Sequence, residues 1–321
     1  MGPGRLLIFP LLLLAVSLFP DGISLAGPSS IIDYQPIIQA GYDSSGKVRI
    51  AIRQFRKDDA PFLLLVDPFS LQTSTVAAAS FIMRGGVSPE TLRASPFFKA
   101  LEHYGGSPCT IQNHGAVHAR QPVQGMFLTV DMCPSRKPFE KTFFAYLAGL
   151  PQTDGKGAAV AIAMTGNWLL NHRDEFAWIT GKIKEGKLAV TWVNHSLTHP
   201  YDPKTPLARN FLLSPGIDFD HEVLETERLL LENGQVPSIF FRFPGLVADA
   251  RLIQRLKGLA LIPVGSDAWL AKGEKPDNGS IILVHGNGNE PAGIEKIMRL
   301  LMVPGNVKLL PLAEAFVAGG R

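Results

Sequence analysis

Short apolar runs typical of buried strands alternate with stretches of helical spacing throughout the chain after residue 125. Strands that alternate with helices pair in parallel through right-handed crossovers. The pattern predicts an α/β fold, either a doubly wound sheet or a barrel, and seven strands favour a distorted (β/α) barrel slightly smaller than the eight-stranded kind. The predicted strands are 126–130, 158–164, 188–193, 238–241, 261–264, 281–284 and 308–310, and the predicted helices are 138–150, 172–183, 221–232, 248–256, 292–301 and 312–317.

Residues 1–26 have the pattern of a secretory signal peptide. Arg5 precedes an apolar stretch from Leu6 to Phe19, and Ser24-Leu25-Ala26 offers small residues for cleavage after Ala26. An uncleaved membrane anchor is the alternative, but the apolar run is short and two prolines lie in or beside it, which disfavours a spanning helix. We therefore expect a secreted or periplasmic protein, with no transmembrane segment after signal cleavage.

Residues 27–122 form an N-terminal segment ahead of the α/β domain, to which we assign residues 123–321. The alternation from Lys47 to Arg53 predicts a half-exposed strand, Phe62 to Val66 a short buried strand, and Pro89 to Tyr104 a helix. The rest of residues 27–60 is expected to be irregular. No catalytic motif is recognisable in this segment, and both a cap over a cleft and a docking surface for a partner are open roles.

Charge and motif content argue against several classes of protein. With 31 Lys and Arg against 28 Asp and Glu the net charge is only +3, and no basic run is interleaved with aromatic residues, so we expect no nucleic-acid partner. No GxSxG, P-loop or GxGxxG pattern supports a serine hydrolase or a nucleotide enzyme. The two cysteines, Cys109 and Cys133, can form a disulfide after export or remain unpaired buried thiols.

A set of polar residues follows the predicted strands, at the end where α/β folds place their chemistry. Two Asp, three His and one Arg at one end of a barrel are not explained by solvation of its surface. We take them as the candidate site. They are Asp131 after the first strand, His195 and His199 after the third, Arg242 after the fourth, Asp267 after the fifth, and His285 after the sixth.

The pair His195 and His199 is the metal candidate. Residues four apart on a helical turn point the same way, and neutral imidazoles at that spacing suit zinc or another divalent transition ion. Two ordinary surface histidines are the alternative.

A metal-held water beside a carboxylate base and an imidazole acid is a common arrangement for hydrolysis of an acyl bond. Here Asp131 would take the proton from the water and His285 would protonate the leaving amine. An ion pair between Arg242 and Asp267 would hold Asp131 in its charged state. The structural alternatives are a plain Arg242–Asp267 salt bridge and a buried His285 with satisfied hydrogen bonds.

Five segments have the order and separation of a known set of motifs. Thr129-Val130-Asp131-Met132-Cys133-Pro134 is similar to T-F-D-D-G-P, and Asn194-His195-Ser196-Leu197-Thr198-His199 is similar to N-H-[ST]-x-x-H. Arg242-Phe243-Pro244-Gly245 is similar to R-x-P-[YF]-G, Ser266-Asp267-Ala268-Trp269 to D-x-x-D-W, and Leu283-Val284-His285 to L-x-H. Over residues 123–318 the chain thus resembles the polysaccharide deacetylase family, the NodB-homology or carbohydrate esterase 4 group.

The resemblance implies a distorted (β/α) barrel that hydrolyses the acetamide of N-acetylated sugars in peptidoglycan, chitin or an exopolysaccharide. It implies a divalent metal, zinc above all, as cofactor and an N-acetylated glycan as partner. The roles it implies are general base for Asp131, general acid for His285, metal ligands for His195 and His199, tuning of the base for Arg242 and Asp267, and lining of the acetyl pocket for Trp269.

The first motif departs from the family pattern at two positions. Met132 stands where the family has the Asp that is its third metal ligand, and a thioether is a poor ligand for zinc. Three alternatives follow: Asp131 turns to the metal, Asp202 or a water completes the shell, or the metal site is weakened. Cys133 replaces the family glycine, so a disulfide to Cys109 would lie beside the site.

The third and fourth motifs depart as well. No aromatic residue separates Pro244 from Gly245, so the main-chain N–H of Gly245 is the candidate substitute donor for the oxyanion hole. In the fourth motif only Ala268 separates Asp267 from Trp269, which shifts its register relative to the family.

Two functions of different classes are therefore considered. The first is an exported, metal-dependent deacetylase of an N-acetylated glycan, favoured by the joint presence of Asp131, Arg242, Asp267 and His285. The second is a catalytically degenerate protein of the same fold that binds glycan without cleaving it, favoured by Met132. A different hydrolase on the same barrel is a third, weaker alternative.

Overall fold

A computed structural model describes residues 1–2, 29–83, 86–106, 111–151, 155–303 and 307–317. Residues 3–26 of the predicted signal peptide, and Cys109, lie outside the described residues. Among the residues that are described, no helix combines the length and the apolar character needed to cross a bilayer.

Eleven strands and eight α-helices are described, together with six short 3₁₀ segments. The strands are β1 (Ile31–Tyr42), β2 (Val48–Lys57), β3 (Ala60–Val66), β4 (Thr73–Ala77), β5 (Phe127–Met132), β6 (Ala158–Met164), β7 (Leu188–Asn194), β8 (Phe240–Phe241), β9 (Ile262–Pro263), β10 (Ala268–Trp269) and β11 (Ile281–His285). The helices are α1 (Pro89–Ala94), α2 (Pro96–Tyr104), α3 (Lys141–Ala148), α4 (Gly166–Asn171), α5 (Arg173–Lys184), α6 (Phe219–Glu232), α7 (Ala250–Gly258) and α8 (Pro291–Leu301).

Strands β5 to β11 form one parallel sheet in the order β10-β11-β5-β6-β7-β8-β9, curled with helices outside, which confirms the predicted distorted (β/α) barrel. Six of its seven strands overlap predicted ones. The seventh prediction, 308–310, is wrong, because Leu309 makes only an isolated bridge to Met126. The remaining strand of the sheet is instead the two-residue β10, which is too short to give a sequence pattern.

The N-terminal segment is more regular than its sequence predicts. Strands β1 to β4 form an antiparallel sheet in chain order, so the expectation of an irregular stretch over most of residues 27–60 is wrong. Strand β1 escaped detection because it is an edge strand, mostly exposed, with Pro36 in its middle and two irregularities of register. Strand β2 is not half-exposed, since Ile50 to Arg53 are all buried between apolar clusters on both faces of the sheet.

The predicted helix from Pro89 to Tyr104 is two helices. Ser95 has extended backbone angles, and its hydroxyl accepts a hydrogen bond from the N–H of Phe98, as an N-cap residue does. Pro96, with no N–H to continue the preceding helix, occupies the first turn of α2. The chain therefore turns between α1 and α2.

The N-terminal sheet covers the end of the barrel at which the parallel strands begin. Ile50 and Ile52 of β2 belong to the same buried cluster as Phe127 and Ile281, the first residues of β5 and β11. Main-chain hydrogen bonds from residues 116–119 reach both Pro263 in β9 and Gly279 ahead of β11, so this stretch joins the barrel although it precedes residue 123. The opposite end of the barrel, where the strands finish, stays free for a site.

A buried ion pair ties the N-terminal sheet to the barrel. Arg53 of β2 donates two hydrogen bonds to the carboxylate of Glu227 in α6, at 2.7 and 2.9 Å, and both side chains are fully buried. Arg53 also donates to the carbonyl oxygens of Ile52 and Leu259, and the Tyr34 hydroxyl donates to Glu227. The network satisfies both charges, and neither partner can be removed without leaving the other unpaired in the interior.

We predict that Glu227→Gln lowers the free energy of unfolding by about 3–5 kcal/mol, because it leaves the Arg53 charge buried without a counter-charge. Urea denaturation followed by circular dichroism measures the change. The matched control is Glu185→Gln, which removes exposed ion pairs with Lys182 and Lys187 and should leave the free energy of unfolding nearly unchanged. Equal stabilities of the two variants would contradict the role given to Arg53 and Glu227.

Candidate active site

The alternation of strand β5 decides which residues of the first motif face the barrel interior. Successive side chains of a strand point to opposite faces. Asp131 and Cys133 line a cavity at the end of the barrel where the strands finish. Met132 lies between them in sequence and packs, fully buried, in the apolar cluster that contains Phe144 of α3. Met132 therefore faces the helices and not the cavity.

Asp131 is held by a buried arginine. Arg242, directly after β8, donates from Nη1 to Oδ1 of Asp131 at 2.6 Å and to Oγ1 of Thr129 at 2.6 Å. Nη2 of Arg242 donates to the carbonyl oxygen of Gly265. Burial alone would raise the pKa of Asp131, but the charge of Arg242, followed by His195 and His285, outweighs it and lowers that pKa. Asp131 is thus a carboxylate at neutral pH.

The predicted ion pair between Arg242 and Asp267 is wrong. Asp267 precedes β10 and lies beside the first residue of β11, where its Oδ1 accepts a hydrogen bond from the N–H of Ile281. Its Oδ2 lies 2.6 Å from Nδ1 of His118. These contacts place Asp267 near the start of β11, away from the cavity, because the shifted fourth motif puts Ala268 and Trp269 on the strand. Arg242 neutralises Asp131 directly.

The two histidines of the second motif come together with Cys133. His195 follows β7 directly, and His199 lies four residues on in a loop where it and Ser196 have left-handed backbone angles, with φ of 48° and 70°. One ligand atom from each of Cys133, His195 and His199 lies within 4.8 Å of the others. Sγ of Cys133 is 3.6 Å from Nε2 of His195. The predicted His195–His199 pair thus forms in the structure, but in a loop and not on a helical turn.

The hydrogen bond at the far side of the His195 ring fixes its orientation. Nδ1 of His195 lies 2.8 Å from the carbonyl oxygen of Arg242. A carbonyl only accepts, so Nδ1 carries a hydrogen, and Nε2 points toward Cys133 and the cavity. A carbonyl partner of this kind commonly orients a metal-binding histidine.

Cys133 has the environment of a thiolate. It is buried and free in the structure, and its carbonyl oxygen accepts a hydrogen bond from Nδ2 of the fully buried Asn287. Burial alone would raise the pKa of Cys133, but the charge of His199 and hydrogen bonds with His195, His199 and His285 hold it well below its usual value. The predicted disulfide partner, Cys109, lies outside the described residues.

His285, the last residue of β11, faces the cavity together with Glu290 and Trp269. Its Nδ1 lies 2.9 Å from Oε2 of Glu290, although it forms no hydrogen bond of regular geometry. Nε1 of Trp269 donates to the same oxygen at 2.7 Å. Burial lowers the pKa of His285, but the neighbouring Cys133 and Glu290, followed by the charge of Asp131, outweigh it and raise that pKa well above its usual value. These neighbours favour the protonated ring.

Aromatic side chains form the wall of the cavity beside His199. Gly245 has φ of 62°, and a β-carbon on it would overlap the ring of Phe211, so only glycine fits there. The Phe211 ring stacks on Tyr201 and meets the His199 ring edge to face. Gly245 lines the cavity as predicted.

The cavity has a volume of about 620 Å³, within the range of small-molecule sites. Of the residues predicted for the site it brings together six at its lining, namely Asp131, His195, His199, Gly245, Trp269 and His285, with Arg242 buried behind Asp131. Asp202 lies in the loop after His199, where its carboxylate accepts hydrogen bonds from Lys204 and Thr205, and it is not among the lining residues of this cavity.

Four residues of the site had not been predicted from the sequence. Cys133 was considered only for a disulfide, although it follows Asp131 by two positions and so shares its face of the strand. Glu290 and Asn287 lie in the loop after β11, another strand end, where a polar run was a signal that could have been used. Phe211 had no signal, because a long loop brings it to Gly245.

The donor set fits a divalent transition metal. Two imidazoles and a sulfur converge on one point, and such nitrogen and sulfur ligands suit zinc better than magnesium or calcium. His195 and His199 are the predicted ligands.

Comparisons with known proteins concern two parts of the chain. Residues 32–93 match the family described as RP012 protein N-terminal domain. A family 4 carbohydrate esterase from Bacillus anthracis is similar in structure, with 17% identity and a TM-score of 0.45 over 72% of this chain and 93% of that chain. PdaA of Bacillus subtilis, another family 4 carbohydrate esterase, is similar with 14% identity and a TM-score of 0.46 over 69% of this chain and 89% of that chain. A family 4 pseudoenzyme from Bacillus anthracis is similar with 13% identity and a TM-score of 0.41 over 65% of this chain and 70% of that chain.

We predict that Met132→Asp destabilises the protein by about 3–5 kcal/mol, because the new carboxylate would be buried among apolar side chains without a partner. Met132→Leu, which conserves volume, should cost less than about 1.5 kcal/mol. Cys133→Asp should be tolerated better than Met132→Asp, since its carboxylate faces the polar cavity. Thermal and urea unfolding of the three variants measure the difference, and a Met132→Asp protein as stable as wild type would contradict the orientation of β5.

Proposed function

We propose that this protein is an exported, metal-dependent hydrolase that removes acetyl groups from N-acetylated sugars of a polysaccharide such as peptidoglycan, chitin or an exopolysaccharide. The observation that carries the proposal is the convergence of an ionised carboxylate, two metal-binding imidazoles and a third imidazole in one cavity. These groups are Asp131, His195, His199 and His285, and they come from the ends of three different strands. The five motifs support the choice of an acetamide as the substrate bond.

Asp131 acts as the general base. Arg242 occupies its Oδ1 atom, so Oδ2, which lies 3.6 Å from Nε2 of His195, is the oxygen available to accept a proton from water. The hydrogen bonds of Arg242 to Thr129 and Gly265 fix the position of the guanidinium. The Asp131 carboxylate, which is bound to it, therefore stays in place while it accepts the proton.

A divalent ion held by His195 and His199 would supply a Lewis acid for the attacking water and the acetamide carbonyl. His285 donates the proton to the leaving amine, which becomes the free amino group of the sugar, and the acetyl group leaves as acetate. Glu290 positions the His285 ring. It also accepts a hydrogen bond from Nε1 of Trp269 and so positions the indole that lines the acetyl pocket. Gly245, which also lines the cavity, is the candidate oxyanion donor through its main-chain N–H.

The second candidate function is glycan binding without cleavage. Its supporting observation is that Met132 faces the helices, so the position where the family has a carboxylate ligand contributes nothing to the cavity. Asp131 and Arg242 weigh against it, since burying this pair is costly and a binding protein needs no base there.

We predict that Asp131→Asn lowers kcat for acetate release from N-acetylated oligosaccharides and peptidoglycan by about 10²–10⁴-fold, because general base catalysis is lost. The amide keeps the shape of the side chain but leaves the Arg242 charge without a counter-charge, so circular dichroism first checks that the variant folds, and glycan binding measured by calorimetry should then persist. Released acetate is quantified after digestion with zinc-loaded protein.

Glu185→Gln, at a surface position, is the control and should retain full activity. Wild-type protein that carries metal and binds glycan but releases no acetate from any of these substrates would overturn the hydrolase and favour the binding protein.

A further inference from the structure

The site has one more donor than the metal-ligand pair of the second motif. We propose that Cys133, His195 and His199 together form a three-ligand site for a thiophilic divalent ion, zinc in the first place, with the Cys133 thiolate as third protein ligand. The inference deepens the proposed function and rests on it, because it names the ligand that completes the metal site of the hydrolase.

The distance between the donors agrees with shared coordination. In a tetrahedral zinc site, bonds of about 2.3 Å to sulfur and about 2.0–2.1 Å to nitrogen place these two atoms about 3.6 Å apart. Sγ of Cys133 and Nε2 of His195 lie 3.6 Å apart, and the donor atom of His199 lies within 4.8 Å of both. The three atoms can therefore meet at one ion with small adjustments.

The surrounding structure aims each donor. Strand alternation turns Cys133 toward the cavity, and the bond from Asn287 to its carbonyl oxygen fixes the main chain just after β5. The Arg242 carbonyl holds the His195 ring with Nε2 inward. The N–H of His199 donates to Oγ of Ser196, which fixes the loop that carries the second imidazole.

The position of Met132 explains why a cysteine is needed. A ligand at residue 132 would have to leave the helical side of β5, where Met132 is fully buried. Residue 133 is the next position on the inner face, and a cysteine there supplies an anionic ligand of the right reach. Three protein ligands that leave a fourth position open correspond to the arrangement of catalytic zinc sites, whereas structural sites are closed by four.

The chemistry of the set predicts its selectivity. A thiolate favours zinc, cadmium and cobalt over manganese and magnesium, which prefer oxygen ligands. A thiolate nucleophile that works without metal is the competing role for Cys133. That role does not explain why two imidazoles lie close to the sulfur in an arrangement that suits a shared metal ion.

The test uses the full mature chain, purified with a non-thiol reductant and loaded with cobalt(II) as a spectroscopic probe. We expect one ion per chain and a sulfur-to-cobalt charge-transfer band in the near ultraviolet. Cys133→Ser should abolish the band and weaken zinc binding by more than the roughly 10–100-fold that loss of an outer hydrogen-bond partner costs. Cys109→Ser, which removes the other cysteine, should leave both unchanged. Thermal melting of each metal-free variant checks that it folds.

The possible failures are distinguishable. Zinc that binds and is lost in His195→Ala, but gives no charge-transfer band and is unaffected by Cys133→Ser, would overturn the thiolate ligand and leave the proposed hydrolase standing. A wild-type chain that binds no metal would overturn both. Native protein with Cys109 and Cys133 joined in a disulfide would overturn the thiolate ligand, because a disulfide sulfur is no longer an anionic donor.

As a second readout, Cys133→Asp should bind zinc while losing its preference for cadmium, measured as the ratio of the two dissociation constants by chelator competition. An unchanged ratio would count against a sulfur ligand even if the serine variant failed to fold.

Discussion

The site depends on the buried contact between Arg242 and Asp131. The guanidinium joins β5, through Asp131 and Thr129, to the main chain after β9, through Gly265, and crosses the barrel interior to do so. The carbonyl oxygen of the same arginine holds the His195 ring. One residue thus sets the charge of Asp131 and the direction of Nε2 of His195, the groups proposed as base and metal ligand. Both charges are satisfied, which offsets the cost of removing them from water.

That contact also limits what Asp131 can do. With Oδ1 engaged at 2.6 Å by Arg242, Asp131 has one free oxygen, and a carboxylate that must serve as both base and metal ligand would have to use that oxygen for both. Asp131 can act as base alone if another anionic side chain is the metal ligand. In the proposed site that ligand is Cys133, whose sulfur, unlike Met132, lies on the side of the chain that Asp131 occupies.

The sequence predicted the parts of this structure that depend on long periodic patterns and failed where single contacts decide. Six strands of the barrel and the inward Asp131 follow from hydrophobic runs and strand ends. Strand β10 has two residues, and its register decides that Asp267 lies beside Ile281 and not beside Arg242. Strand β1 was hidden because an exposed edge strand lacks a buried face. No local pattern announces that Arg53, in an alternating strand, is fully buried against Glu227, 174 residues away in sequence.

The exchange of residues at 132 and 133 illustrates how a fold constrains a site more than a motif does. In an alignment of the motif sequences, Met132 stands at the position of a metal ligand, which suggests that the metal site is lost. Aligned by strand geometry, residue 132 packs against α3, and the residue that can reach the cavity is Cys133. Asn287 donates a hydrogen bond to the Cys133 carbonyl oxygen, and the Arg242 carbonyl oxygen orients His195. The surroundings of a three-donor centre are therefore present although the motif sequence differs. Burying two imidazoles, a thiol and an ionised carboxylate around one cavity costs stability, so their convergence is the physical argument for the proposed centre.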